Sequence, residues 1–115
     1  MDTVSQTEIP QKKQSDTRRR IAYERFTALA KEWREMRPIS SSVEKLAMHP
    51  TYQQIIGMGQ DAIPLILAEL NREPDQWFWA LRTITGENPE KPEHRGNVLQ
   101  MSQDWFDWAR INGVH

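Results

Sequence analysis

The sequence predicts an all-α fold: a compact bundle of about five or six short helices, preceded by a longer basic amphipathic helix and a disordered N-terminal tail. Three observations lead to this prediction. Apolar residues recur every three or four positions along several segments, which is the period of one helix face. Glycine, proline and asparagine separate these segments at intervals that suit short helices. No stretch alternates cleanly between apolar and polar residues, as a half-buried strand would.

Length and composition limit the class of protein. The 115 residues correspond to one ordinary domain, which we divide into a tail (1–15), a basic helix (16–37) and a helical domain (38–115). Five tryptophans can build a sizeable core, because each buries about 150–250 Å² when packed. The absence of cysteine excludes disulfides and thiolate metal sites. No apolar run reaches the roughly 18 residues of a membrane span, so we expect a cytoplasmic protein without a membrane partner.

Charge is unevenly distributed along the chain, although the formal net charge is only −1. Residues 1–10 carry two acidic side chains, whereas residues 11–37 carry nine basic and four acidic ones, a balance of +5. Residues 38–115 carry six basic and ten acidic side chains, a balance of −4. The sequence therefore places a basic segment next to an acidic domain, an asymmetry that calls for an explanation.

The first helix is predicted from about residue 17 to residue 36. Asp16 or Thr17 can cap its start, and Pro38 ends it because the residue before a proline avoids helical geometry. Its apolar stripe, with spacings of four, three, four and three, consists of Ala22, Phe26, Leu29, Trp33 and Met36.

The next two helices are short. Ser41 and Glu44 have the spacing of a capping box, which predicts a second helix up to about residue 48. Pro50 suits the first turn of a third helix. Gly57 and Gly59 are expected to supply left-handed geometry at its end.

Three further segments complete the predicted bundle. Asp61 can cap a leucine-rich helix, and Pro74 with Asp75 opens the next one, which Gly86 ends. Residues 86–96 read as a loop, and Asn97 can cap the last helix.

The block of Trp77, Phe78 and Trp79 is the most distinctive feature. Neighbouring helix positions point about 100° apart, so these rings cannot share one face. Either the helix is buried nearly all round, or one ring is exposed for binding, with Trp79 the better candidate. A second block places Phe106 off the face that Trp105 and Trp108 share. Phe106 either packs under the 86–96 loop or extends an aromatic patch with Trp79.

A basic run contains Lys12, Lys13, Arg18, Arg19 and Arg20. It can contact nucleic-acid phosphates, dock on an acidic protein surface, or be a solvated face. The acidic remainder of the chain and the lack of a recognised nucleic-acid-binding motif weigh against the first of these.

Catalytic and metal-binding patterns are lacking in the sequence. None of the histidines has a partner at helical spacing, so no zinc signature is present. His49, before Pro50, is interpreted as a cap. His94 could act as a general acid or base only with a nucleophile and a pocket, which a mobile loop does not supply. Glu87, Glu90 and Glu93 are interpreted as solvated. We expect neither cofactor nor enzyme activity.

Two resemblances follow from these segments. Residues 59–70 resemble the second helix of a HEAT-like repeat, with a glycine, an alanine–isoleucine–proline step and a leucine-rich helix. The stretches HPTYQQIIGMG, IPLILAEL and WFWALRTITGENP, with the tryptophan-containing last helix, resemble a type of small uncharacterised bacterial helical protein. The second resemblance implies a helical domain of accessory gene content and supplies no catalytic residues.

These observations lead to three functional hypotheses. The first is a non-catalytic interaction or accessory module, antitoxin-like or a partner subunit of a two-gene bacterial system. Its protein partner, or a second copy, would contact helix 16–37 and the aromatic block through Trp79, Phe78, Phe106, Phe26 and Trp33. The alternative is a nucleic-acid-associated regulator that binds through the basic run. The third, a small enzyme, requires a pocket that joins His94 to a carboxylate and a nucleophile.

Overall fold

A computed structural model describes residues 3–36 and 42–114, with side chains from residue 16 onwards. The described part contains six α-helices and two 3₁₀ turns, and no strand occurs within it. In chain order, the elements are α1 (Thr3–Met36), α2 (Val43–Met48), α3 (Pro50–Gly57), a first 3₁₀ turn (Gly59–Ala62), α4 (Ile63–Arg72), α5 (Phe78–Thr85), a second 3₁₀ turn (Pro92–His94) and α6 (Val98–Ile111). The all-α prediction is confirmed.

Helix α1 ends at Met36, as the following proline predicts. It begins at Thr3, earlier than the start near residue 17 that the apolar stripe indicates. Among the described side chains of α1, Phe26 is the first that is buried. The contacts of α1 with the core are therefore made by its C-terminal half. These contacts reach α3 and the first 3₁₀ turn.

The caps of α2 and α3 are local. The Ser42 hydroxyl accepts a hydrogen bond from the Lys45 N–H at 3.3 Å and caps α2, whereas the predicted cap, Ser41, lies outside the described residues. His49 caps α3, as predicted, and its Nδ1 accepts from the Thr51 N–H at 3.1 Å. Gly59 has the expected left-handed backbone (φ 69°), but Gly57 belongs to the helix itself.

The later helix ends agree only in part with the prediction. Asp61 does not cap α4: it lies in the first 3₁₀ turn, and no side chain caps that helix. Helix α5 begins at Phe78, after the predicted start at Pro74. It ends at Gly86 in left-handed geometry (φ 73°), as predicted. The Asn97 side chain caps α6 by accepting from the Gln100 N–H at 3.0 Å.

An aromatic cluster joins α1, α3 and α5 at the centre of the core. The rings of Trp33 and Trp77 lie 4.7 Å apart, and the Tyr52 ring stacks on Trp77 at 5.7 Å. Phe26 contacts the Trp77 ring from α1 at 5.7 Å. The Tyr52 hydroxyl accepts from the Ala80 N–H at 3.0 Å and donates to the Gln76 carbonyl at 2.9 Å. Burial of this hydroxyl raises the pKa of Tyr52 well above its ordinary value.

Candidate functional site

Three of the five predicted partner contacts are core residues. Phe26 is 4% exposed, Trp33 0% and Phe78 2%, so their rings are already covered by this chain and do not form a docking surface in this fold. Trp79 and Phe106 are half-buried and pack against the core. Trp77 and Phe78 are both buried, so most of the aromatic block faces inward. Trp79 borders a small depression of about 260 Å³ with Arg82 and Thr83.

Three residues of the basic run lie in the part of α1 whose side chains the structure describes. Arg18, Arg19 and Arg20 are exposed, whereas the side chains of Lys12 and Lys13 lie outside the described residues. Arg18 donates two hydrogen bonds to Asp61, at 3.2 and 3.1 Å, and so joins α1 to the first 3₁₀ turn. Arg20 lies 3.9 Å from Glu24 on the same helix. Such exposed ion pairs contribute little to stability, and the arginines still present positive charge to solvent.

A groove separates α1 from α4. It consists of two adjoining depressions of about 610 and 250 Å³ that share Tyr23 and Leu65 as lining residues. We call it the α1–α4 groove. Its lining combines charged side chains with small or apolar ones, and the latter include Ala22, Tyr23, Ala30, Pro64, Leu65 and Ala68. Tyr23 is 60% exposed, which is a large exposure for an aromatic ring beside an apolar groove.

Charged side chains lie at both ends of the α1–α4 groove. The Arg18–Asp61 pair marks one end, with Arg19 beside it. At the other end, Glu69 on α4 accepts from Arg34 on α1 and from Arg72 one turn further along α4. Arg18 of α1 bonds Asp61, two residues before α4 begins, and Arg34 of α1 bonds Glu69 within α4. The chain from residue 61 to residue 69 therefore runs in broadly the same direction as α1 along the groove.

A third depression adjoins the groove at Arg18, Ala22 and Asp61 and extends to the other flank of α1. It has a volume of about 550 Å³ and is lined in part by Ile21, Arg25 and Met58. Ile21 is 58% exposed. Helix α1 therefore presents exposed apolar side chains on both sides of the face that it buries.

The charged loop is held against α6. The Nδ1 atom of His94 lies 2.8 Å from Asp104 Oδ2, and the Lys91 N–H donates to the same oxygen at 3.0 Å. Burial acts to raise the pKa of Asp104, but the hydrogen bonds from Lys91 and His94 outweigh it and lower that pKa below its ordinary value. The partner of His94 is therefore a carboxylate on α6, ten residues further along the chain.

Two glutamates of this loop are also bound. Glu90 pairs with Arg82 at 2.7 Å and accepts from the Trp105 indole N–H at 2.8 Å, with its side chain only 4% exposed. Glu87 accepts from the Trp108 indole N–H at 3.1 Å. The interpretation of Glu90 as a solvated carboxylate is therefore wrong, because the Trp105 indole and the Arg82 guanidinium replace the water around it. Glu87 is exposed, as expected of a solvated carboxylate, although it also accepts from Trp108.

The His94–Asp104 pair could in principle orient an imidazole for proton transfer. The neighbouring hydroxyl of Ser102 is buried and donates to the Val98 carbonyl at 2.7 Å, so it is not directed at His94. The depressions described above lie along α1 or beside Trp79, away from this pair. Its evident role is to fasten the loop to the last helix.

The described residues contain neither a metal-binding cluster nor a membrane span. No group of three or more histidine, aspartate or glutamate side chains is arranged there to hold a metal ion. None of the helices in the described part combines the length and apolarity needed to cross a membrane.

The sequence did not predict the α1–α4 groove as a site. Several of its residues were named for other roles, namely Ala22 and Phe26 in the apolar stripe, Arg18 and Arg19 in the basic run and Asp61 as a cap. Tyr23, Arg34, Leu65 and Arg72 were given no functional role. One signal was available, a tyrosine off the buried face of an amphipathic helix. Comparison with known proteins finds no matching family model, no matching curated protein and no matching solved structure.

Proposed function

We propose that this chain is a non-catalytic protein-interaction module that docks a partner protein on the α1–α4 groove. In this proposal it is an accessory or antitoxin-like subunit of a two-gene bacterial system and acts in the cytoplasm. The observation that carries the proposal is the exposed Tyr23 ring beside the apolar side chains of Ala22, Pro64 and Leu65.

The composition of the groove supports this role. Tyrosine and arginine are the residue types most enriched among the side chains that dominate binding energy at interfaces. The groove combines Tyr23 with four arginines, namely Arg18, Arg19, Arg34 and Arg72. An amphipathic helix laid in a hydrophobic groove is a common mode of recognition.

The polar network at α6 supports a non-catalytic role. His94, Glu90 and Glu87 each have a structural partner. A catalytic histidine needs a reacting group within hydrogen-bond reach, and the large depressions lie elsewhere in the molecule.

Site-specific photo-crosslinking in the native host tests the proposal. A photoreactive residue at Tyr23 is expected to give one recurrent protein product. The same residue at Ile111, which is 76% exposed on α6, is the matched control and is expected not to give that product. The purified partner should then bind the unmodified chain and lose at least about ten-fold in affinity with Tyr23→Ala. A chain that yields no Tyr23-specific product and remains monomeric at high concentration would contradict the proposal.

A second candidate function is nucleic-acid binding, favoured by the exposure of Arg18, Arg19 and Arg20 on one helix. It predicts binding to DNA or RNA that weakens steeply with salt, because counterions are released from the phosphates. Replacing the five residues of the basic run by alanine should abolish that binding. Unchanged mobility of nucleic acid with the intact chain at low salt would remove this candidate.

A further inference from the structure

The α1–α4 groove also restricts the chemistry of its occupant. We infer that the occupant is an acidic amphipathic helix of about four turns, supplied by a partner protein. This inference rests on the proposed function, since it names the partner of that same groove. It depends on the direction of the groove, its shape and the charges at its ends.

The direction follows from the lining residues. On α1 they include Arg19, Tyr23, Ala30 and Arg34, and on α4 they recur every three or four positions between residues 64 and 72. Such spacing follows one face of each helix, so the groove runs along both helices rather than across them. An elongated occupant parallel to the two helices matches this space.

The length follows from the helical rise. Residues 19 and 34 of α1 line opposite ends of the groove, and at 1.5 Å per residue they are about 22 Å apart along the axis. A docked helix spans that distance with about 15 residues, or four turns. A shorter peptide would leave one charged end of the groove without contacts.

The shape suits a helix packed at close range. Ala22, Ala30 and Ala68 contribute small side chains to the lining, and helices approach to about 8–10 Å according to the side chains at their contact. Tyr23 and Leu65 belong to both depressions and so lie in the middle of the groove. The apolar residues of the occupant would pack on either side of them, at the i, i+4 and i+7 positions of a groove-bound helix.

The charge requires an acidic occupant. Four arginines line the groove against two carboxylates, and both carboxylates already accept hydrogen bonds from arginines of this chain. Asp61 accepts from Arg18, and Glu69 accepts from Arg34 and Arg72. Arg72 also lies 3.5 Å from Glu73 and remains 62% exposed. Arg19 at one end and Arg72 at the other remain exposed to solvent, so carboxylates near both ends of the docked helix can pair with them.

A display library of helices of about 18 residues tests the inference. Each member carries an apolar stripe, and its flanking positions are randomised among glutamate, lysine and glutamine. Clones are selected on the full chain, and clones that also bind the Tyr23→Ala variant are discarded. We expect glutamate to be enriched at flanking positions near both ends of the selected helices.

Affinity measurements on a selected peptide give the second readout. Arg19→Glu and Arg72→Glu are each expected to weaken binding of the labelled peptide by about ten-fold. Arg110→Glu, at an exposed position on α6, should leave binding unchanged. A peptide with every glutamate replaced by lysine should bind at least about ten-fold more weakly than the acidic peptide. Circular dichroism checks that each variant keeps its helix content. Arg72→Glu also removes the bonds of Arg72 to Glu69 within the fold. Arg19→Glu removes no such bond among the described residues, so it separates loss of binding from loss of structure.

Several outcomes would overturn the inference. Enrichment of lysine, or of no charge, among Tyr23-dependent clones would refute the acidic partner while leaving the proposed docking function in place. Failure of both the library and the photo-crosslinking would remove the docking function itself. Dimerisation abolished by Tyr23→Ala would assign the groove to a second copy of this chain. Competition between duplex DNA and the peptide for Arg19 would assign it to nucleic acid.

Discussion

The His94 imidazole and the Asp104 carboxylate are in contact, with Nδ1 2.8 Å from Oδ2. This contact joins the second 3₁₀ turn to α6, across a loop that contains two prolines and two glycines. Because the Lys91 N–H shares the same carboxylate oxygen, one aspartate orders both the backbone and a side chain of the loop.

Asp104→Asn should therefore lower the free energy of unfolding by about 1.5–3 kcal/mol, the range for hydrogen bonds to a charged group. The amide oxygen can still accept one N–H, but the charge that strengthens both contacts is lost. Urea denaturation measures the effect. Asp107→Asn, three residues along α6 and with its side chain 48% exposed, is the matched control and should change stability by less than about 0.5 kcal/mol.

The Asp104 contribution should also depend on pH. Its pKa is lowered in the folded protein, so the unfolded state takes up this proton first as the pH falls. The contribution is then fully present above the unfolded pKa of about 3.9 and is lost as the pH falls through the lower folded value. Urea denaturation between neutral and strongly acidic pH should show the stability difference between the intact chain and Asp104→Asn shrinking at acid pH. A difference that stays constant, or grows, at acid pH would contradict the assignment.

The two core indoles of the aromatic cluster should respond differently to replacement by phenylalanine. Trp33 Nε1 donates to the Leu46 carbonyl at 2.9 Å, whereas Trp77 Nε1 is buried without a hydrogen-bond partner. Both substitutions leave a cavity, but only Trp33→Phe also removes this bond. We expect Trp33→Phe to be the more destabilising by about 1 kcal/mol, as measured by denaturant unfolding of the two variants side by side. Equal losses of stability in the two variants would show that the hydrogen bond from Trp33 to Leu46 makes no net contribution to the free energy of unfolding.

Glu69 should be important for the contact between α1 and α4. Its side chain is 10% exposed and accepts from Arg34 and Arg72. Glu69→Ala leaves the half-buried Arg34 without its carboxylate, whereas the exposed Arg72 keeps Glu73 at 3.5 Å. We expect a cost of about 2 kcal/mol, less than for a fully buried pair. Glu73→Ala, at an exposed neighbouring position, is the control and should be nearly neutral in thermal or urea denaturation. A comparable loss of stability in both variants would show that the loss arises within α4 and not from its contact with α1.

Features that depend on neighbours in the sequence were predicted correctly. The proline after Met36, the left-handed Gly86, the Asn97 cap and the His49 cap each act within about four residues, the range of helix signals. The burial of Phe26 and Trp33 also follows from their spacing on one helix. The assignment of those two rings to a partner did not follow, because spacing identifies a buried face but does not say which molecule covers it.

The sequence by itself determined the all-α class, most helix ends and the apolar face of α1 as far as Trp33, because these depend on local backbone hydrogen bonds and on the helical period. The predicted stripe continued to Met36, but that side chain is 59% exposed. Only the tertiary structure decided the partners of Glu90 and Asp104, which come from residues between 8 and 15 positions away. It also decided the α1–α4 groove, where residue 34 meets residue 69 and residue 18 meets residue 61. Carboxylates and arginines are compatible with solvent in any sequence, so their pairing depends on how the helices pack.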